Sequence, residues 1–173
     1  MWLSLLNAVT AIRAIEQALI GLAPELEHDF AGNAAELITE LQALHFEFHE
    51  VVRTAPRNTL LFADRFPFRY FVEDYGLNYY AAFPGCAAET EASFATIIFL
   101  TNRVNQLGLS TIMITESADG SVARTIIENS DAQNQQILVL DSMQSVTAAD
   151  VAAGVTYLGI MRENLNVLRQ ALQ

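Results

Sequence analysis

The residues whose types and spacing could do chemistry in this chain are carboxylates, with two imidazoles and one thiol beside them. Asp64 follows the apolar run Thr59 to Ala63, Glu116 follows the β-branched run Thr111 to Thr115, and Asp141 follows Ile137 to Leu140. Each run reads as a short strand. The three carboxylates therefore fall where the chain leaves a strand, the edge at which open α/β sheets bind ligands. Glu89 and Glu91 lie in Ala88-Glu89-Thr90-Glu91-Ala92-Ser93, ahead of a helical stretch. Carboxylate oxygens at such an edge suit manganese, magnesium or calcium, and imidazole shifts a site toward zinc. The same groups can serve as acids and bases. Plainer roles compete: Asp64 as a helix cap or a partner of Arg65, Asp141 as a turn residue bonding its own backbone, and Glu91 as an acid at a helix N-terminus.

His45 and His49 stand four apart in His45-Phe46-Glu47-Phe48-His49-Glu50, a spacing that can chelate zinc on one helix face. The metalloprotease pattern H-E-x-x-H is not met. Leu44, Phe48 and Val51 take the inward stripe, which places both histidines outward, in solvent. Cys86 is the single cysteine, so it forms neither an intrachain disulfide nor a cysteine-based zinc site. No histidine near it in sequence marks it as a nucleophile. Phosphate-binding loops, G-x-S-x-G and G-x-G-x-x-G are not found.

Three stretches must position these groups. Residues 5–55 read as helical: Ala8, Ile12, Ile15, Ala18 and Leu19 recur at helical spacing, and Gly21 and Pro24 break the pattern. Pro24, Glu25 and Glu27 suit the first turn of a second helix. Leu37, Leu41, Leu44, Phe48 and Val51 make its stripe, which Pro56 ends. Then structure alternates: strand Thr59 to Ala63, helix Phe66 to Tyr75, strand Leu77 to Phe83, helix Glu91 to Leu107, strand Thr111 to Thr115, helix Ser121 to Glu128, strand Ile137 to Leu140. Short connections in this order predict a four-stranded parallel sheet with right-handed crossovers. The last stretch is one terminal helix, opened by Thr147-Ala148-Ala149-Asp150 as a near capping box. Val155, Leu158, Met161, Leu165, Leu168 and Leu172 form its apolar face. The fold class is α/β, a three-layer lobe at 59–173 preceded by a long helical segment at 1–58.

Composition agrees with one well-buried domain: 173 residues, 52% hydrophobic and 17% charged. A net charge of −11 repels phosphate backbones, which argues against nucleic acid as a partner. No uninterrupted apolar run predicts a membrane span, and no signal-peptide pattern is read at the start.

The stretch Leu60 to Ser93 resembles the second lobe of the solute-binding proteins of zinc and manganese ABC transporters. Pro67-Phe68-Arg69-Tyr70-Phe71 is similar to the family's "AFxYF" helix, and Tyr75-Gly76-Leu77 to its "YGL" step. Met1-Trp2-Leu3-Ser4-Leu5-Leu6-Asn7-Ala8 resembles the family's "H-x-W-L-S-x-x-N-A" segment without the histidine. The likeness covers nearly the whole chain, but only the second half of a family member.

That resemblance implies passive capture of Zn²⁺ or Mn²⁺, with no organic cofactor and no catalysis, and delivery to a membrane ABC permease. It implies an extracellular or periplasmic setting, anchored to the membrane in the parent lipoprotein. It also implies Asp64, Glu91 and Asp141 as the metal-facing residues, with Glu116 in support. Aligning the aromatic helix puts the family's ligand position at Arg65, which cannot ligate. Either Asp64 substitutes through a shift of one residue, or this ligand is missing. The family's first lobe would then lie outside this chain, and the apolar surface it covers implies homodimerisation or domain swapping. The alternative is an α/β enzyme using the strand-end carboxylates with a divalent metal. A third reading is an acidic interaction module for a basic partner.

Overall fold

A computed structural model describes residues 2–83 and 92–173. Helix α1, Leu5–Leu22, is capped by Ser4, whose hydroxyl accepts the Asn7 N–H. A 3-10 turn at Pro24–Leu26 reverses the chain into α2, Glu27–Thr54, as Pro24 led us to expect. Strand β1, Thr59–Arg65, follows, then α3 at Arg69–Tyr75 and β2 at Asn78–Phe83. Helix α4, Phe94–Leu107, leads to β3, Thr111–Ile114. Helix α5, Ser121–Glu128, leads to β4, Gln136–Val139. Two helices close the chain, α6 at Ala148–Ala152 and α7 at Tyr157–Ala171.

The sheet is wholly parallel, in the order β2-β1-β3-β4. Alternation along its strands feeds two cores. Leu60, Phe62 and Met113 face α2, α3 and α7 with Leu41, Leu44, Phe48, Phe71, Leu165 and Leu168. Leu61, Ala63, Ile112 and Ile114 face the other way, onto Leu100 and Val104 of α4 and Ala123 and Ile126 of α5. Helix, sheet and helix thus make the three expected layers. The two N-terminal helices join the first core through Leu5, Leu41, Leu44 and Phe48.

Several sequence expectations are corrected. Helix α3 starts at Arg69, not Phe66, because Pro67 disfavours helical backbone at the residue before it. Phe66 and Phe68 instead insert their rings into the core beside Phe62. The terminal helix is two helices. Thr147 and Asp150 do form a reciprocal capping box, but Gly154 adopts φ 91 and ends the first helix. Thr156 then caps a new one through the Gly159 N–H. Val155 therefore lies between helices and not on an apolar face. Gly108 closes α4 at φ 57, a left-handed position open to glycine without side-chain strain, and Leu109 N–H bonds back to the Val104 carbonyl at 3.0 Å. Helix α1 is long and apolar enough by length and composition to cross a membrane, which the interrupted run of the sequence did not suggest. Here it packs along α2 and leaves Ile15, Leu19 and Leu22 exposed.

Candidate functional site

Strand order decides where a ligand can sit. From β1 the chain crosses to β2 on one side, and from β3 it crosses to β4 on the other. The crossovers diverge at the β1–β3 seam, the switch point that opens a crevice at the C-terminal ends of the strands. Phe62 lies opposite Met113 across this seam. Asp64, Thr115 and Glu116 follow a short way on.

Asp64 lies within β1, not after it, because the strand runs on through an irregularity between Phe62 and Arg65. The residue is only 8% exposed. Its Oδ2 accepts the Thr115 N–H at 3.2 Å and also the Thr115 hydroxyl. The carboxylate therefore stitches β1 to the end of β3. It borders a cleft of about 280 Å³ with Arg65, Phe83, Ser117, Asp119, Gly120 and Ser121.

Asp141 and Glu116 border a different and larger cleft, about 570 Å³, with Ser145, Asp150, Val155, Thr156 and Glu163. Asp141 Oδ1 accepts the Met143 N–H at 2.7 Å, the local turn bond its sequence position allowed. Burial raises its carboxyl above the usual range. The Met143 bond opposes that, and the nearby Glu116 charge adds to it. Burial also pushes Glu116 upward, but the Ser142 N–H and hydroxyl and the Gln144 N–H together outweigh it and hold Glu116 ionised below its ordinary range.

Asp141 and Glu116 thus meet in one cleft, and Asp64 faces the neighbouring one. Glu91, with Glu89 and Cys86, lies outside the described residues. Among the described residues no three of His, Cys, Asp and Glu converge closely enough to hold a metal ion. The carboxylates present could contribute oxygen ligands to a hard or borderline divalent cation, with further donors needed to complete the shell.

The histidines divide. His49 is exposed, as expected. His45 is not outward in solvent: it is half-buried against α3, with Nδ1 3.0 Å from the Tyr75 hydroxyl and its ring 5.2 Å from the Tyr75 ring. Burial lowers its pKa, Asp74 raises it, and His49 lowers it further. Tyr75 is pushed far up by burial and stays protonated, and the imidazole tautomer sets which of the two groups donates.

Sequence reasoning missed Asn164. It is a polar residue on the apolar face of α7, between Met161 and Leu165, and it is buried. Its side chain bonds the main chain of Asp141. The signal was present, since an amide at a core position of a periodic helix requires a buried partner. Trp2 was missed as well: its indole N–H donates to the Ser142 carbonyl at 2.9 Å, and its own carbonyl accepts from the Tyr157 hydroxyl.

The fold has counterparts in known proteins. The family model described as zinc-uptake complex component A, periplasmic (ZnuA), matches residues 1–171. The zinc-binding lipoprotein AdcA of Streptococcus pneumoniae is 29% identical over 170 residues, which is 98% of this chain and 33% of AdcA. The high-affinity zinc uptake system protein ZnuA of Bacillus subtilis is 23% identical over 172 residues, 99% of this chain and 52% of that protein. The chain therefore spans between about a third and about half of the length of these relatives. Among solved structures, the Zn(II)-bound ZnuA-like domain of S. pneumoniae AdcA superposes with a TM-score of 0.78 at 29% identity, covering 99% of this chain and 62% of that one. The metal-dependent lipoprotein YcdH of B. subtilis shares the fold, with a TM-score of 0.84 at 23% identity over 99% of this chain and 63% of that one.

Proposed function

The chain belongs to the ZnuA family of periplasmic zinc-uptake components, and from that premise we propose that it is one lobe of a two-lobe binding protein that captures Zn²⁺ or Mn²⁺ for an ABC permease. The observation that carries this reading is the family match running over residues 1–171, nearly the whole chain. The geometry supports it by setting Asp141 and Glu116 in one cleft, and Asp64 in the next, at the C-terminal ends of neighbouring strands. The family is one of transport binding proteins, so the strand-end carboxylates are read as binding groups and not as acid–base catalysts.

On this reading Asp64, Glu91 and Asp141 are the metal-facing residues. Residues 59–173 form the metal-binding lobe, and 1–58 supply the helices that bridge to its counterpart. On the same reading capture takes place outside the cytoplasm on a membrane-anchored parent, which the lipoprotein among the relatives supports. The apolar groove of about 640 Å³ between α1, α2 and the start of α7, lined by Trp2, Ala11, Ile12, Leu37 and Leu158, is the surface on which self-association would occur. Light scattering that shows a monomer at every concentration would argue against that last point.

The test is calorimetric titration of the metal-stripped chain with Zn²⁺ and with Mn²⁺, beside Asp64→Ala and Asp141→Ala. A lone lobe holds part of a ligand set, so the expected signal is saturable, 1:1 and weaker than micromolar. It should be lost in both variants. Binding that both variants retain unchanged would move the site elsewhere and end this assignment.

A further inference from the structure

Among the described residues four hydrogen-bond donors reach Glu116, all from the loop that leaves β4. Oε1 accepts the Ser142 hydroxyl at 2.9 Å, the Gln144 N–H at 3.0 Å and the Ser145 hydroxyl at 3.3 Å. Oε2 accepts the Ser142 N–H at 2.8 Å. An ionised carboxylate offers about four acceptor positions; three donors crowd Oε1 and one takes Oε2. One position on Oε2 stays open, and the rest of the carboxylate's capacity goes to the loop.

The loop follows the shape of that carboxylate. Met143 stands between the two donating amides and adopts φ 61, a left-handed backbone that side-chain-bearing residues take only against steric resistance. Two alternate main-chain N–H groups, those of Ser142 and Gln144, turn toward one anion, and that anion is the chain's own glutamate. The intervening Met143 N–H turns instead to Asp141 Oδ1. Trp2 holds the Ser142 carbonyl through its indole N–H. The direction in which Asp141 presents its carboxylate thus depends on a loop wound around Glu116.

We propose that Glu116 is a positioning residue: it is the internal anion around which residues 142–145 are wound, and it aims Asp141 into the cleft without itself ligating the cation. The inference rests on reading Asp141 as a binding group.

Hydrogen exchange of the metal-free chain tests the winding independently of any cargo. In Glu116→Gln and Glu116→Ala the amides of Ser142 and Gln144 should exchange about tenfold faster or more, the loss expected for one charge-assisted hydrogen bond. Amides of Met113 and Leu138, in the paired strands β3 and β4, should keep their protection and report an intact fold. In parallel, Zn²⁺ or Mn²⁺ binding should weaken about tenfold in Glu116→Gln, following the same hydrogen-bond loss, and vanish in Asp141→Ala. Unchanged exchange at Ser142 and Gln144 in both variants would overturn the proposal. So would abolished cation binding in Glu116→Gln with the loop amides still protected, since that marks a ligand. A wild-type chain that binds neither cation would defeat the capture reading, while the exchange arm would still decide the role of Glu116.

Discussion

Asn164 grips Asp141 by both of its main-chain polar groups. Its Oδ1 accepts the Asp141 N–H at 2.8 Å, and its Nδ2 donates to the Asp141 carbonyl at 2.8 Å. The pairing mimics one rung of a sheet ladder, supplied by a side chain from α7 just where β4 ends. Asn164 is 2% exposed, so water cannot replace it. Asn164→Leu should therefore cost about 2–4 kcal/mol, two net hydrogen bonds plus the desolvation of the groups left unpaired. Asn164→Asp keeps the acceptor and loses the donor, and should also destabilise the fold. Urea denaturation reads both, and a loss under about 0.5 kcal/mol, the range of ordinary surface changes, would contradict this account.

Thr115 is the corresponding partner of Asp64. Thr115→Val keeps the shape and the N–H but removes the hydroxyl donor from a buried carboxylate. A hydrogen bond to a charged group contributes about 1.5–3 kcal/mol, and a loss in that range is expected. Pairing Thr115→Val with Asp64→Leu in a double-mutant cycle should recover part of it, because the acceptor is then gone too. Strict additivity would show that the two side chains do not interact.

Phe48 is fully buried, edge-on to Phe71 and stacked on Tyr75, each at a centroid distance of 5.3 Å. Phe48→Ala opens a cavity where α2, α3 and the sheet meet, and should cost about 3–5 kcal/mol. Leu22→Ala, on the exposed end of α1, should change stability by less than about 0.5 kcal/mol. Thermal melts of the pair distinguish α2 as part of the lobe's core from α2 as an appended arm.

His45 gives the stability a slope with pH. Its pKa lies below the ordinary value of 6.5, first because of burial, so the unfolded chain binds more protons than the folded one in that window. Its contribution is complete above pH 6.5 and declines as pH falls toward the lowered folded value. Asp74 and His49 act on it in opposite directions, and the Tyr75 hydroxyl faces Nδ1. Melting temperatures from pH 8 to pH 5 should fall less steeply in His45→Gln than in the wild type. Identical slopes would remove His45 from the account.

The sheet, its four strands and both layers of helix were legible because apolar periodicity and glycine or proline punctuation agree along residues 59–140. What escaped were pairings fixed by long-range contact. Asp64 looked like the residue after a strand because the irregularity near Arg65 has no sequence mark. Nothing local announces that Asp64 belongs to Thr115, 51 residues on, or that Glu116 is encircled by residues 142–145. His45 was placed in solvent because it falls beside, not on, the apolar stripe. Tyr75 reaches it from another helix. Gly154 was a visible break in the terminal helix, overridden by the strong apolar pattern that resumes at Leu158.

The strand order also sets a sequence of events in time. Strands β1 and β2 lie within residues 59–83 and β3 and β4 within 111–139, so each pair can form from nearby chain. The central seam must join segments far apart, and such contacts carry the loop-closure cost and form more slowly. We expect Asp64–Thr115 to lock after the rate-limiting step, so that Thr115→Val speeds unfolding and leaves refolding nearly unchanged. A chevron plot in which Thr115→Val shifts only the refolding limb would reverse that order. The cleft that Asp64 borders thus lies over the join between the two strand pairs, the seam we expect to close last.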